Sequence, residues 1–230
     1  MQSQIKSYAI IVAGGTGTRM QSTVPKQFLL LNGLPVMMHT ITAFKNSSYQ
    51  PDIIVVMNPD FHDHWKSLCE EYNFTTEHQL VLGGETRFHS VRNGLSAVKE
   101  LNAVVAIQDA VRPLTPIEVI DNAYSKAIEK GNAVVAIQSR DSVRQLKNGV
   151  SQHLDRSEIY LVQTPQTFLM PVLKNAYDAS YMATFTDDAS VVEHSGVDIN
   201  LVEGSQENIK ITYPEDIAIA ALIQKKLPDK

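Results

Sequence analysis

Residues 8–27 read Tyr-Ala-Ile-Ile-Val-Ala-Gly-Gly-Thr-Gly-Thr-Arg-Met-Gln-Ser-Thr-Val-Pro-Lys-Gln. The apolar run Tyr8–Val12 predicts a buried strand, and the glycines that follow predict a turn in which backbone N–H groups come close to an anion. Arg19 and Lys26 add two cations to that turn. Backbone donors and cations at a strand end suit a polyphosphate whose charge grows during reaction, as nucleotidyl transfer requires. A plain Gly-rich strand-to-helix turn accounts for the glycines alone but leaves Arg19 and the Pro25-Lys26 pair unexplained.

Spacing separates this loop from other Gly-rich motifs. A dinucleotide fingerprint needs glycine at its first, third and sixth positions. Counted from Gly15, the third is Gly17 but the sixth is Met20. The Gly-Lys-Ser/Thr of a P-loop is absent from the chain.

Outward from this loop, apolar runs alternate with helical periodicity. Strands are predicted over 8–13, 53–56, 80–82, 103–107 and 133–137. Helices are predicted over 36–44, 61–72, 86–100 and 117–130, the last closed by Gly131. The alternation predicts an α/β, Rossmann-like architecture: a mostly parallel sheet flanked by helices. It then breaks. Residues 139–164 are polar and carry Asn148-Gly149, a hairpin turn signal, and read as a protruding β-arm that needs something to pack on, economically a second subunit. A helix near 170–181, a helix start at Thr186-Asp187-Asp188-Ala189, whose acidic first turn is favoured over a metal role, and short strands at 199–202 and 209–212 follow. A final helix is predicted from Pro214, with Thr212 and Glu215 spaced as a capping box. The whole of 1–230 reads as a single domain with the arm as its excursion.

Composition narrows the function. The 230 residues are 43% hydrophobic, enough for a sizeable core. Twenty Lys and Arg against 25 Asp and Glu give a net charge of −5, which argues against a general nucleic-acid binder. Cys69 is the one cysteine, so an intramolecular disulfide and a cysteine metal cluster are excluded, and it reads as a half-buried thiol. No run approaches about 18 apolar residues, and Met1–Lys6 has no signal-peptide core. A soluble cytoplasmic protein without membrane partners is expected.

Polar residues gather where predicted strands end, the place where open α/β sheets bind ligands. Gly84 and Glu85 follow the strand at 80–82. Asp109 and Arg112 follow that at 103–107, and Ser142 follows that at 133–137. Asp109 suits a metal, a sugar hydroxyl or a turn cap. Arg112 suits a phosphate or a surface ion pair with Asp109. Thr164-Pro165-Gln166 either lies over the site or forms a tight turn. Lys210 points to solvent or reaches a ligand. The pair His62 and His64 lacks a third ligand at metal-binding spacing and reads as a solvated helix start.

The loop Ala13–Lys26, the runs Gly83–Leu95, Asp109–Pro113, Gln163–Gln166 and Asn208–Thr212, in this order, resemble the polyol-phosphate cytidylyltransferase family, and within it the 2-C-methyl-D-erythritol 4-phosphate cytidylyltransferases. The resemblance covers about 8–222. It implies transfer of CMP from CTP to 2-C-methyl-D-erythritol 4-phosphate with release of pyrophosphate. It places Ala13, Gly14, Gly15 and Gly17 along the CTP pocket, with Gly84, Glu85 and Ser90 at the cytosine edge. Arg19, Lys26 and Lys210 fall on the triphosphate as catalytic cations. Asp109, Arg112 and Thr164 line the polyol-phosphate site, joined by Ser142 and Arg156 from the arm of a neighbouring subunit. The resemblance further implies a homodimer and Mg²⁺ held mainly through the CTP phosphates, without a metal site made by the protein. Three positions depart from the family pattern: Gln108 replaces a usual histidine, Ser142 a threonine and Arg144 a lysine. The relatives that act on ribitol 5-phosphate share the Gly-rich loop, whereas Thr86–Leu95 is closer to the isoprenoid enzymes. A catalytically inactive nucleotide-binding regulator is the alternative of another class, and the joint presence of Arg19, Lys26 and Lys210 argues against it.

Overall fold

The computed structural model describes residues 5–15 and 24–226; Gly17 and Arg19 lie outside the described residues. Its strands are β1 (Lys6–Ala13), the two-residue pair β2 (Leu30–Leu31) and β3 (Leu34–Pro35), β4 (Asp52–Met57), β5 (Gln79–Leu82), β6 (Ala103–Asp109), β7 (Asn132–Gln138), β8 (Val143–Lys147), β9 (Val150–Leu154), β10 (Tyr160–Leu169) and β11 (Leu201–Glu203). The α-helices are α1 (Val36–Lys45), α2 (His62–Glu71), α3 (Arg87–Ser96), α4 (Ile117–Lys130), α5 (Met170–Tyr177), α6 (Asp188–His194) and α7 (Glu215–Lys226).

Seven strands form one sheet in the order β11-β7-β10-β6-β1-β4-β5. All neighbours are parallel except at β10, which runs antiparallel to both β6 and β7. The fold is therefore the mostly parallel, helix-flanked α/β sheet that the alternation predicts. Side-chain alternation along β1 builds both layers. Ala9, Ile11 and Ala13 pack towards α1, α2 and α4, while Tyr8 and Ile10 pack towards α3, α5 and α6. Ile10 and Ile11 are fully buried, each contributing roughly 1.5–3 kcal/mol relative to exposure. From β1 the chain builds outward through β4 and β5, then returns to pair β6 on the other side of β1. That reversal leaves a crevice at the carboxyl ends of β1 and β6, where ligands of such sheets bind.

Several boundaries differ from those predicted. Helix α3 stops at Ser96 rather than running to 100, because Ala97 N and Val98 N bond the carbonyls three residues back and close the last turn. Helix α5 ends at Tyr177, not 181. Residues 209–212 form no strand; their extended segment is tied to the core by one backbone bond, Ile211 N to the Val111 carbonyl at 2.9 Å. At the start of α7 the carboxylate that reaches back is Asp216, not Glu215, accepting from Thr212 N at 2.7 Å and Tyr213 N at 2.8 Å. The Asn148-Gly149 turn takes φ of 50° and 79° between β8 and β9, as a tight hairpin demands. The chain rejoins the sheet earlier than 164, since Tyr160, Leu161 and Val162 already pair with β7. Among the described residues no helix is long and apolar enough to cross a membrane.

Candidate active site

The crevice is a cleft of about 270 Å³. The end of β1 contributes Ala13, Gly14 and Gly15; the next segment contributes Lys26 and Gln27; the turn before α3 contributes Gly84, Glu85, Thr86 and Arg87, with Ser90 behind them; the end of β6 contributes Asp109; and Lys210 closes one side. A larger hollow, about 580 Å³, lies at the opposite ends of β1 and β4, lined by Lys6, Asp52, Glu77 and Glu100 among others. There Lys6 pairs with Asp52 at 2.9 Å and Tyr8 donates to Glu100. It sits away from the carboxyl ends where α/β sheets bind ligands, and the cleft is the candidate site.

Each wall is held by its own sequence. Lys26 is only 9% exposed, and its Nζ donates to the Ile211 carbonyl at 3.1 Å. Gln27 Nε2 donates to the Ala13 carbonyl at 3.2 Å, fixing the start of the Gly-rich loop. The turn before α3 is capped by Thr86, and the Ser90 hydroxyl accepts from Gly84 N at 3.0 Å while donating to the Thr86 carbonyl at 3.0 Å. Ser90 is thus buried beneath the turn, and Glu85 is exposed at its tip.

Asp109 is the electrostatic centre. Its Oδ2 meets Lys210 Nζ at 2.8 Å and Arg112 Nε at 3.7 Å, and its Oδ1 lies 4.0 Å from Arg87 Nε. Burial works to raise the Asp109 carboxyl, but Lys210, Arg87 and Arg112 together pull it down to about 2. It is an ionised acceptor at neutral pH, not an acid. Three cations around one carboxylate leave the site positive, as two phosphorylated substrates need. Thr164 lies beneath, its Oγ1 accepting from Asp109 N at 3.1 Å.

The ion pair of Arg112 with Asp109 does form, at 3.7 Å, but buried rather than at the surface: Nη1 donates to the Asn208 carbonyl at 2.6 Å, and burial lowers the guanidinium's affinity for its proton. Gln108, at the departing position, is fully buried and donates to Thr115 Oγ1 at 2.9 Å; Thr115 Oγ1 lies 2.9 Å from Asn208 Oδ1. Asn208 Nδ2 in turn donates to the Thr164 carbonyl at 2.9 Å. This network couples the segments that carry Arg112, Thr164 and Lys210.

The sequence misses Arg87 and Asp188. Arg87 lines the cleft and forms a bidentate pair with the fully buried Asp188, at 2.8 and 2.5 Å. Burial opposes the Arg87 charge, and Asp188 more than compensates, raising its proton affinity. Losing one partner of such a pair costs about 3–5 kcal/mol. The only signal in the sequence is the acidic run Asp187-Asp188, which a helix start explains equally well.

Ser142 and Arg156 are exposed and lie outside this cleft; Arg156 Nη1 donates to the Arg140 carbonyl at 3.0 Å. Arg144 pairs across the hairpin with Ser151 Oγ at 2.6 Å. Cys69 is half-buried on α2, and burial pushes its thiol up to about 11. His62 Nε2 sits 3.2 Å from the Met57 carbonyl and His64 packs edge-on against Phe28, so both serve the fold.

Residues 7–226 match the family model described as IspD: 2-C-methyl-D-erythritol 4-phosphate cytidylyltransferase. A protein of that name from Azobacteroides pseudotrichonymphae is 48% identical over 216 residues, spanning 94% of this chain and 97% of its own length. One from Bacteroides thetaiotaomicron is 45% identical over 219 residues, spanning 95% of this chain and all 100% of its own. Among solved structures, the 4-diphosphocytidyl-2C-methyl-D-erythritol synthase of Anaerococcus prevotii superposes with a TM-score of 0.82 at 26% identity, covering 96% of both chains. The 2-C-methyl-D-erythritol 4-phosphate cytidylyltransferase of Francisella tularensis superposes with a TM-score of 0.78 at 30% identity, covering 95% of this chain and 99% of that one.

Proposed function

Because the chain belongs to the 2-C-methyl-D-erythritol 4-phosphate cytidylyltransferase family, we propose a division of labour for the residues of its cleft. The enzyme transfers CMP from CTP to 2-C-methyl-D-erythritol 4-phosphate and releases pyrophosphate, a step of isoprenoid precursor synthesis. The family match disfavours ribitol 5-phosphate as acceptor and a non-catalytic regulator as the protein's role.

A phosphate oxygen of the acceptor attacks the α-phosphorus of CTP, a P–O bond forms, and the bond to the β-phosphate breaks with pyrophosphate leaving. The nucleophile is already ionised near neutral pH, so no general base is required. Catalysis is positioning plus neutralisation of charge. Lys26 and Lys210, both lining the cleft, supply that charge, with Arg19 as the third cation of the assignment. Ala13, Gly14, Gly15 and Gly17 offer backbone to the triphosphate. Gly84 and Glu85 meet the cytosine, and Ser90 shapes their turn. Asp109 accepts from acceptor hydroxyls, with Arg112 and Thr164 behind it. Ser142 and Arg156 reach the acceptor site of a partner subunit. The exposed apolar residues Leu146 and Val150 on the arm support a homodimer formed through it.

Mg²⁺ supplies charge neutralisation when bound. Among the described residues no three His, Cys, Asp or Glu side chains are grouped to hold a metal, and Asp109 is already engaged by three cations. That donor set fits a cation carried on the nucleotide phosphates rather than one caged by side chains. We read 1–230 as one domain and place it in the cytoplasm, where its phosphorylated substrates are made.

The observation that carries this reading is the meeting of Lys26, Asp109 and Lys210 in one cleft. Its test is pyrophosphate release from CTP with a panel of polyol phosphates. Turnover with 2-C-methyl-D-erythritol 4-phosphate well above ribitol 5-phosphate is expected; the reverse order would displace it.

A further inference from the structure

Asp188 does not line the cleft, yet it holds Arg87, the one charged residue lining the cleft to which the division of labour assigns nothing. Its Oδ1 accepts from Arg87 Nη1 at 2.8 Å, its Oδ2 from Arg87 Nη2 at 2.5 Å, and Tyr177 Oη donates to Oδ1 at 2.6 Å. Both terminal nitrogens of Arg87 are therefore engaged by Asp188, and its Nε lies 4.0 Å from Asp109 Oδ1. Asp109 Oδ2 is left to Lys210 at 2.8 Å.

Two carboxylates thus compete for one guanidinium. Asp188 takes the Nη1–Nη2 edge of the guanidinium, and held there Arg87 brings its Nε no nearer than 4.0 Å to Asp109, too far for a hydrogen bond. Asp188 holds it because its own site is rigid. The residues on either side of it are pinned to β10 by Gln166, whose Nε2 donates to Asp187 Oδ2 at 2.9 Å and whose Oε1 accepts from Ala189 N at 2.8 Å. With the charge of Asp188 gone, the guanidinium is free to close on Asp109 and draw it from Lys210.

Resting on the reading of Asp109 as an acceptor-site residue, we propose that Asp188 is a positioning residue for acceptor recognition. By clamping both Nη groups of Arg87, it keeps the guanidinium 4.0 Å from Asp109, a charge beside the carboxylate that stops short of hydrogen-bonding it. Asp109 then keeps one oxygen for Lys210 and the other for the hydroxyls of the acceptor. The Gly84–Glu85 turn has its own ties, from Gly84 N to Ser90 Oγ and from Ser90 Oγ to the Thr86 carbonyl, and Asp188 makes neither, so nucleotide binding should be spared.

The test is a double-mutant cycle on the full-length enzyme, with Asp188→Asn, Asp109→Asn and the pair, each checked by thermal unfolding. KM and kcat are measured for 2-C-methyl-D-erythritol 4-phosphate at saturating CTP, and the KM for CTP separately. Asp188→Asn should lower kcat/KM for the acceptor about tenfold, inside the range of couplings between contacting residues, with the KM for CTP unchanged. In the Asp109→Asn background the same substitution should change it by no more than about twofold. Full additivity, or an equal loss of CTP affinity, would overturn the clamp and leave the assignment of Asp109 standing. A normal acceptor KM in Asp109→Asn alone would instead overturn that assignment, and the clamp with it. If Asp188→Asn does not fold, Tyr177→Phe carries the test. It removes one hydrogen bond from Asp188 and keeps the ion pair, so a fall of about two- to threefold that vanishes in the Asp109→Asn background is expected, and additivity overturns the proposal.

Discussion

Lys26 Nζ donates to the carbonyl of Ile211 at 3.1 Å, a buried bond joining residues 185 positions apart. The bond fixes Lys26 to the segment that carries Lys210. A lysine so held presents its charge at one place before any substrate arrives, which is the condition for stabilising a transition state without reorganisation.

Lys26→Ala should therefore lower kcat by about 10²-fold or more, the scale for one preorganised electrostatic contact. Steady-state kinetics in CTP checks it. Near-normal kcat with only a raised KM for CTP would make the lysine a binding residue alone.

Asp109 links the site to acid stability. Its carboxyl is held at about 2 in the folded chain against an ordinary 3.8. The unfolded chain binds the proton more readily, so stability from this group is full above about pH 4 and lost as pH falls through about 2. Asp109→Asn should flatten the dependence of unfolding free energy on pH within that window. Denaturant titrations at several acid pH values would show an unchanged slope if the cations do not hold the carboxyl down.

Gly84 has no room for a side chain. A Cβ there would lie 2.4 Å from His89 Cβ and 2.9 Å from the His89 carbonyl carbon. Gly84→Ala must shift the turn and its bond to Ser90 Oγ, misplacing the turn by a fraction of an ångström or more. A rise in KM for CTP of about tenfold is expected, below the roughly 10²-fold that a full ångström can cost. An unaltered KM for CTP would remove this turn from the nucleotide site.

Arg156 lies outside the cleft of its own chain and is assigned to a partner's. Lys26→Ala and Arg156→Ala, each inactive alone, should then recover about a quarter of wild-type activity when mixed and allowed to exchange. Half the dimers would be hybrids, each with one intact site of two. No recovery after proven exchange would refute the shared site.

The sheet was legible wherever strands are continuous apolar runs, as at 103–107 and 133–137, because strands buried on both faces need no polar side. Strand β10 was not, since Pro165 and four buried polar residues, Gln163, Thr164, Gln166 and Thr167, look unlike a central strand. Three of the four are hydrogen-bonded by segments far away in sequence: Gln163 to the Ser205 carbonyl, Thr164 from Asp109 N, Gln166 to Asp187. The false strand at 209–212 is the converse case, where alternation reflects a segment pinned on one side rather than a ladder. Asp109, Lys26 and Lys210 were brought into view by motif and strand-end position. The pairing of Arg87 with Asp188 across 101 residues has no local signature and was visible only in the folded chain.

The Lys26–Ile211 bond also sets a timetable for synthesis. At roughly 5–20 residues per second, the 185 positions between its partners correspond to about 10–40 s of translation. Throughout that interval Lys26 has been made, but the carbonyl to which it donates has not. Nascent chains therefore lack one tie of the phosphate site until the message is almost fully read, and a chain cut short before residue 211 lacks the carbonyl to which Lys26 donates.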